Sequence, residues 1–319
     1  MKGRIAVLLS AVAALLSVPA GAENNAAAAA SAQAAPPVHA AAGAGIPARG
    51  ALYRIRHHGQ TSYLFGTIHV GTPAFFPLEA QVTHALAQAS KLVLEIDIRD
   101  GALFQAALDK HGVYAAGDDV SRHLSTPVLA QLQQALQRAG LAWETMRRFK
   151  PWLLANLLLG LDLERSGYQR ARGVEMFLLS VADVQTKSVH ELESAEYQMS
   201  LFDGMDDAMQ EQYLREQLAE LEDGKAMKKA KALIAAWATG NGDEIEGIVR
   251  DALGDGSVSS SFTYKVLLQK RNPEMADKIV RLLERRESAF VGVGLLHLVG
   301  EGGVPALLRE RGVEVEKVY

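Results

Sequence analysis

Two histidines stand in one repeated context. Tyr63-Leu64-Phe65-Gly66-Thr67-Ile68-His69-Val70-Gly71 and Val291-Gly292-Val293-Gly294-Leu295-Leu296-His297-Leu298-Val299-Gly300 each run from an apolar stretch into Gly-x-x-His and then to a further glycine. A neutral imidazole is a common metal ligand and general base. Glycines at a strand end let the backbone approach a ligand closely. A histidine met once in such a stretch is ordinarily a hydrogen-bonded core residue, so it is the repetition that argues for chemistry. It predicts that His69 and His297 face one cleft.

Acidic residues supply the complement. Glu95 lies within the apolar run Leu92–Ile98, where a strand buried on both faces carries only apolar side chains. A carboxylate there needs a cation or hydrogen-bond donors, because isolated buried charge is very costly. Asp97 shares the face of Glu95 by period two and is its candidate companion; the alternative is that both point to an exposed sheet face. Glu193, in Glu191-Leu192-Glu193, is a third candidate carboxylate. Arg271, just before Asn272-Pro273, either balances these acids or is a surface arginine. His39, His57, His58, His84, His111, His123 and His190 lack the repeated setting and read as structural or exposed. There is no His-Glu-x-x-His, Gly-x-Ser-x-Gly or P-loop, which removes support for the common zinc-protease, serine-hydrolase and nucleotide-binding readings.

Composition bounds the chemistry further. With no cysteine among 319 residues, disulfides, thiolate metal sites and cysteine nucleophiles are excluded, and any metal must sit on His, Asp or Glu. Lys+Arg 33 against Asp+Glu 37 gives a net charge of −4, without the basic excess that favours a nucleic-acid partner. At 49% hydrophobic and 22% charged, the chain is neither wholly disordered nor a polytopic membrane protein.

The elements that must position these residues read as α/β. Leu52–Arg56 and Thr61–Phe65 form two strands about a glycine-containing turn, and Lys91–Ile98 is a third strand after a helix-like stretch from Leu78 to Ser90. Helical spacing then dominates in Leu103–Leu108, Val128–Ala139, Trp152–Glu164 and Val174–Val184, with Ser125-Thr126-Pro127 as a cap and Gly140 as a stop. Lys187–Leu192 is a short strand. A second helical block runs from about Ala195 to Arg286, and its charged run Glu211–Lys231, alternating in sign, reads as a solvated helix face. Ser288–Leu296 is strand-like, Val304–Arg311 helical, Gly312 a stop, and Val313–Val318 a final strand. The expectation is one mixed sheet built from N- and C-terminal strands, with a large helical insertion at about 101–286.

Residues 1–22 have the form of a signal peptide: Lys2 and Arg4, the apolar stretch Ile5–Val18, and the small residues Ala20-Gly21-Ala22. About 14 apolar residues fall short of the ~20 that span a bilayer, and no cysteine follows for a lipid anchor. The expectation is a periplasmic or secreted protein with no membrane span after cleavage. Residues 23–50, rich in Ala with Pro36-Pro37, Gly43, Gly45 and Pro47, read as a flexible tether, and 51–319 as the folded domain.

The chain resembles the TraB/PrgY/GumN family, whose animal relatives are the Tiki proteins, over about Leu52 to Val318. The resemblance is carried by Leu64–Gly71, Leu94-Glu95, Gly173-Val174-Glu175, Leu192-Glu193-Ser194 followed by Gln198, Arg271-Asn272, and Val293–Gly300. Glu175 stands where many members carry Asp, and Leu295-Leu296 replace smaller residues before the second histidine. The resemblance implies a fold similar to erythromycin-esterase-like and ChaN-like proteins, with both Gly-x-x-His motifs at one site. It also implies metal-dependent cleavage of a peptide or protein substrate, with manganese, cobalt or zinc as the divalent metal. His69 and His297 match the motif histidines, Glu95 and Glu193 the motif acids, and Arg271 the motif arginine. The implied mechanism places the metal on His69, His297 and one or both of Glu95 and Glu193. A remaining glutamate would be the general base, and Arg271 would stabilise the oxyanion. The alternatives are a non-catalytic metal- or haem-binding protein and a partner in envelope polysaccharide assembly.

Overall fold

The structure is a computed structural model and describes residues 46–319. The signal-like segment and most of the expected tether lie outside the described residues. A six-stranded sheet has the order β4-β3-β5-β2-β1-β6. Its strands are β1 (Leu52–His57), β2 (Gln60–Thr67), β3 (Lys91–Leu94), β4 (Ser188–Glu191), β5 (Ala289–Gly294) and β6 (Glu314–Lys317). β4, β3, β5 and β2 run parallel, whereas β1 is antiparallel to both β2 and β6. The sheet is mixed, as the sequence implied, with β4 contributed from within the helical insertion.

The central strand explains its own composition. β5, Ala-Phe-Val-Gly-Val-Gly, is buried at every position, so it carries no alternation of polar residues. Its Gly292 lets the helix Val174–Val184 come close: a Cβ there would meet Leu94 Cδ2 at 2.9 Å and Leu178 Cδ1 at 3.1 Å. On the other flank, β1 and β2 are joined by His58 and Gly59, both at positive φ, which places the expected turn where the register His57↔Gln60 requires it.

Because four parallel strands share a direction, their C-terminal ends lie along one edge. That is where open α/β sheets place their ligands. Strand lengths matter here. The expected strand Lys91–Ile98 ends at Leu94, so Glu95 is the first residue beyond it. The expected strand Ser288–Leu296 ends at Gly294, and Leu295–Leu298 is a 3₁₀ turn carrying His297.

The insertion is helical, and its second block reaches back to the sheet. Trp237, wholly buried on the helix Lys225–Thr239, donates its indole N–H to Gly66 O at 2.9 Å and so braces the first Gly-x-x-His motif. Thr263–Lys270 is a π-helical segment leading directly into the helix Arg271–Glu284. Pro273 has no N–H to give to the carbonyl four residues back, and the wider π turn rotates the following face so that Arg271 points inward.

Two expectations are corrected. The charged run Glu211–Lys231 is split at Gly224 into the helices Asp207–Glu222 and Lys225–Thr239, and it is not simply a solvated face. Glu216 is buried and accepts from Ser259 N–H at 2.9 Å and Ser259 Oγ at 2.8 Å, so its charge caps the helix that begins at Val258. Ser125 does not cap the helix Thr126–Ala139 with its side chain; its N–H and hydroxyl bond Glu211, while Pro127 and left-handed Gly140 mark the ends as expected.

The folded part also starts earlier than Ala51. Arg49 is buried and donates to Ala74 O at 3.2 Å and Pro77 O at 3.3 Å, and Gly50 N–H bonds Trp237 O at 2.7 Å. A chain starting at Ala51 should therefore melt at least ~3 °C below one starting at Ile46, the shift that ~1 kcal/mol produces in a domain of this size. Equal melting midpoints would show that these contacts add nothing.

Candidate active site at the carboxyl edge of the parallel strands

Arg271 lies between two glutamates at this edge. Its Nη2 donates to Glu95 Oε2 at 2.5 Å and to Glu193 Oε2 at 2.6 Å, while Nε reaches Glu193 Oε1 at 3.0 Å and Oε2 at 3.1 Å. Gln198 adds its amide to Glu95 Oε2 at 3.1 Å and Glu193 Oε2 at 2.9 Å. All four side chains are buried. The two acid-bearing segments are held in register by Glu193 N–H donating to Glu95 O at 2.8 Å. Glu95 Oε1 takes the Gly294 N–H at 2.6 Å, which ties β3 to the end of β5.

The histidines are fixed from behind. His297 Nδ1 lies 2.6 Å from Asn272 Oδ1, and Asn272 turns its amide nitrogen to Gly302 O at 2.8 Å. That orientation makes Asn272 Oδ1 the acceptor and Nδ1–H the donor, leaving Nε2 turned towards Glu95 Oε1. His69 Nδ1 lies 2.8 Å from Glu175 Oε1, an ion-pair contact off the line of a well-directed hydrogen bond. Glu175 is placed by the first turn of the helix Val174–Val184, whose leading N–H bonds Ile68 O at 2.9 Å.

The two rings come together beside Gly294, His69 on the wall of a small cleft and His297 buried behind it. A Cβ on Gly294 would stand 3.2 Å from Glu95 Oε1, 3.5 Å from His69 Nε2 and 3.7 Å from His297 Cδ2. His297 Nε2 is 3.7 Å from Glu95 Oε1. The cleft, with room of only about 20 Å³, has His69, Glu95, Glu175 and Arg170 beside the apolar Ile96, Ile98 and Met176.

The groups differ in charge for physical reasons. Burial alone would raise the Glu95 carboxyl. The protonated form of His297, present only in strong acid, the charges of Arg271 and His69 and the Gly294 N–H outweigh burial and hold it well below the usual carboxylate range. Arg271 is the member of that set that stays charged at every working pH. Burial also opposes a charge on His69, but the Glu175 and Glu95 carboxylates overcome it and lift its pKa to about 9. Burial, with Arg271 and His69, pushes His297 down to about 3 against the pull of Glu95. His297 is thus a neutral imidazole. His69 must give up a proton before its Nε2 can ligate.

A divalent ion fits this donor set on specific grounds. Both imidazoles have the outer nitrogen held by a carboxylate or amide oxygen, as ligating histidines do, and Gly294 leaves a space ringed by Glu95 Oε1 and both histidines. Among the described residues no three His, Asp or Glu side chains stand at the spacing of a formed metal shell. Binding would therefore draw His69, His297 and Glu95 inward. Glu193 does not share this role in the geometry, since both its oxygens are taken by Arg271 and Gln198.

The structure thus gathers His69, His297, Glu95, Glu193 and Arg271. It does not bring in Asp97, whose carboxylate accepts from Arg99 Nε at 2.8 Å. His111 pairs with Asp203 at 3.0 Å, and His123 with Asp207 at 3.0 Å and Asp118 at 2.9 Å, away from the cleft. Sequence reasoning gave no role to Glu175, Gln198 or Asn272, although each falls inside a segment that carried the family resemblance.

The raised pKa of His69 fixes a sign for pH dependence. The folded value lies above the ordinary 6.5, so the stabilising contribution is complete below about pH 6.5 and is lost as pH rises through about 9. In chelator-treated protein, the urea midpoint of wild type should exceed that of His69→Gln at pH 6. The gap, at most ~3 kcal/mol, should close by pH 9.5. A gap independent of pH would mean that His69 is neutral when folded.

Comparison with known proteins agrees with the motifs. The chain is 27% identical over 257 residues to "Uncharacterized protein YbaP" of Shigella flexneri, covering 78% of this chain and 88% of that relative. It is also 27% identical over 256 residues to "Uncharacterized protein YbaP" of Escherichia coli (strain K12), covering 77% and 87%. No solved structure shows a significant match. The family model described as the TraB/PrgY/gumN family matches residues 51–317, spanning every strand of the sheet and every residue of the cleft. The chain belongs to the TraB/PrgY/gumN family.

Proposed function

We propose that the protein is an exported metal-dependent hydrolase that cleaves peptide bonds. The observation that carries the reading is the convergence of His69, His297 and Glu95 on the space left by Gly294, with each imidazole oriented from behind by Glu175 or Asn272. Export, to the periplasm or beyond the cell, rests on the signal-like pattern of residues 1–22.

His69 Nε2, His297 Nε2 and Glu95 Oε1 would hold the ion, with manganese, cobalt and zinc all compatible with two nitrogens and an oxygen. Such an ion lowers the pKa of a water and polarises a carbonyl. The protein residues do the positioning. Arg271 and Gln198 hold Glu95 Oε2, so that Oε1 stays turned to the cleft. Glu193 neutralises and orients Arg271, which makes it a positioning residue here rather than a ligand or base. Arg271, engaged by both carboxylates, acts through Glu95 rather than on an oxyanion. Ile96, Ile98 and Met176 offer an apolar wall to the substrate.

Metal analysis of purified protein tests the ligand set. Wild type should hold about one divalent ion per chain, and His69→Ala and His297→Ala should each lose it. Gly294→Ala should lose it too while remaining folded, since φ is −52° at this position and the added methyl occupies the ion's space rather than straining the backbone. Glu193→Gln should keep the ion but lose about 1.5–3 kcal/mol of stability in denaturant unfolding, because Arg271 loses a charged partner. Loss of the ion in that variant would instead make Glu193 a ligand. Chelation should abolish hydrolysis of a protein substrate such as casein, and manganese or cobalt should restore it. Full turnover with metal shown to be absent would defeat the hydrolase reading proposed here. A metal-free wild type without turnover would leave the assembly-partner alternative.

A further inference from the structure

One edge of the sheet is built differently from the other. At β6, Glu314 and Glu316 pair with Arg56 and Arg54 across the strands, and such charged side chains blunt an edge against further pairing. At β4 the residues are Ser188-Val189-His190-Glu191, mostly exposed. Lys187, just before the strand, is turned back onto the carbonyls of Ala87 and Ala89 rather than guarding the edge. Among the described residues no strand pairs with the outer side of β4.

The backbone there is available. Leu192 N–H donates inward to Leu94 O. Alternation along a parallel strand then turns the N–H and C=O of Val189 and Glu191 away from β3. A groove of about 600 Å³ runs along this side, between Val189-His190-Glu191 and the helix Gly101–His111. Leu103, 67% exposed on that helix, offers an apolar shelf to it. The groove's charged lining is Asp97, Asp100, Glu191 and Glu196 against Lys110. Arg99 offsets Asp97 and Lys110 offsets Glu196, which leaves the groove acidic through Asp100 and Glu191, whose carboxylates accept, among the described residues, only the backbone N–H groups of Leu103 and Asp97 and so keep their charge without a cationic partner. Ile96 lines both this groove and the cleft that holds His69 and Glu95. Since β4 runs parallel to β3 and β5, a strand laid along it ends at the edge where the cleft opens.

We infer that an extended, basic segment of polypeptide docks as an added strand on the outer edge of β4 and is delivered from there to the cleft. Main-chain bonds to Val189 and Glu191 give the affinity, alternate apolar side chains rest on Leu103, and alternate basic ones face Asp100 and Glu191. The inference deepens the hydrolase reading by naming how its substrate is held, and it rests on that reading only for what happens after docking.

The test uses the full chain kept in chelator, so that no turnover occurs, with fluorescein-labelled Lys-Val-Lys-Val-Lys-Val as the probe in fluorescence anisotropy. The same peptide N-methylated at alternate residues should bind about tenfold or more weakly, and Glu-Val-Glu-Val-Glu-Val should bind weakly or not at all. Val189→Pro removes an outward N–H, and Leu103→Lys changes an exposed helix position that the fold does not need. Each should weaken the basic peptide by about tenfold, while unfolding curves report that both variants remain folded. Undiminished binding of the N-methylated peptide, equal binding of the acidic one, or unchanged affinity in folded Leu103→Lys would overturn the inference. Hydrolysis by the metal-loaded protein is read separately. Cleavage of casein without peptide binding at β4 removes this inference and leaves the hydrolase. Strand-wise binding without any cleavage sustains the docking site and removes the hydrolase.

Discussion

Two carboxylates buried side by side repel each other and lose their hydration, and either effect alone would disfavour the sheet edge that Glu95 and Glu193 share. Arg271 offsets both at once through four contacts of 2.5–3.1 Å. Removing a partner from such a cluster is much more damaging than never having built it, since the remaining charges stay buried. The rest of the site follows from this arrangement. With Oε2 of Glu95 committed to Arg271 and Gln198, Oε1 faces Gly294 and the two imidazoles. The π-helical turn before Arg271 and the long insertion behind it bring a residue 176 positions from Glu95 to the place where its charge is needed.

The sheet supplies the common edge and glycine supplies the room. β2 and β5 are adjacent and parallel, with Thr67 opposite Gly294, so the similar sequences after them deliver His69 and His297 to neighbouring positions. Their surroundings then separate them. Glu175 keeps a charge on His69, whereas burial beside Arg271 keeps His297 neutral. The ion proposed for this site would meet one imidazole that is ready and one that must first release a proton.

Much of this was legible in the sequence because it depends on local pattern. The repeated Gly-x-x-His pointed to two histidines that the fold brings side by side, a lone glutamate at the end of an apolar run pointed to Glu95 beside them, and strand-like segments at both ends of the domain implied the sheet. The supporting residues were harder to assign. Gln198, Asn272 and Glu175 sit on helices with ordinary polar spacing, and only tertiary packing shows that their side chains are directed at the site. Asp97 failed as a companion because β3 stops at Leu94, so period-two alternation does not extend to it. The run Glu211–Lys231 misled for a related reason: alternating charge describes a helix surface but does not reveal that Glu216 is covered by the turn at Ser259.

The central claim is that His69, His297 and Glu95 form one divalent-ion site. Cobalt titration of the chelator-stripped protein, followed by visible absorption, addresses it most directly, because the ion's bands report nitrogen and oxygen ligands at the metal itself. The account predicts bands of a low-symmetry protein site that saturate near one ion per chain and vanish in a folded Glu95→Gln variant. A spectrum indistinguishable from hydrated cobalt in the wild type would contradict it.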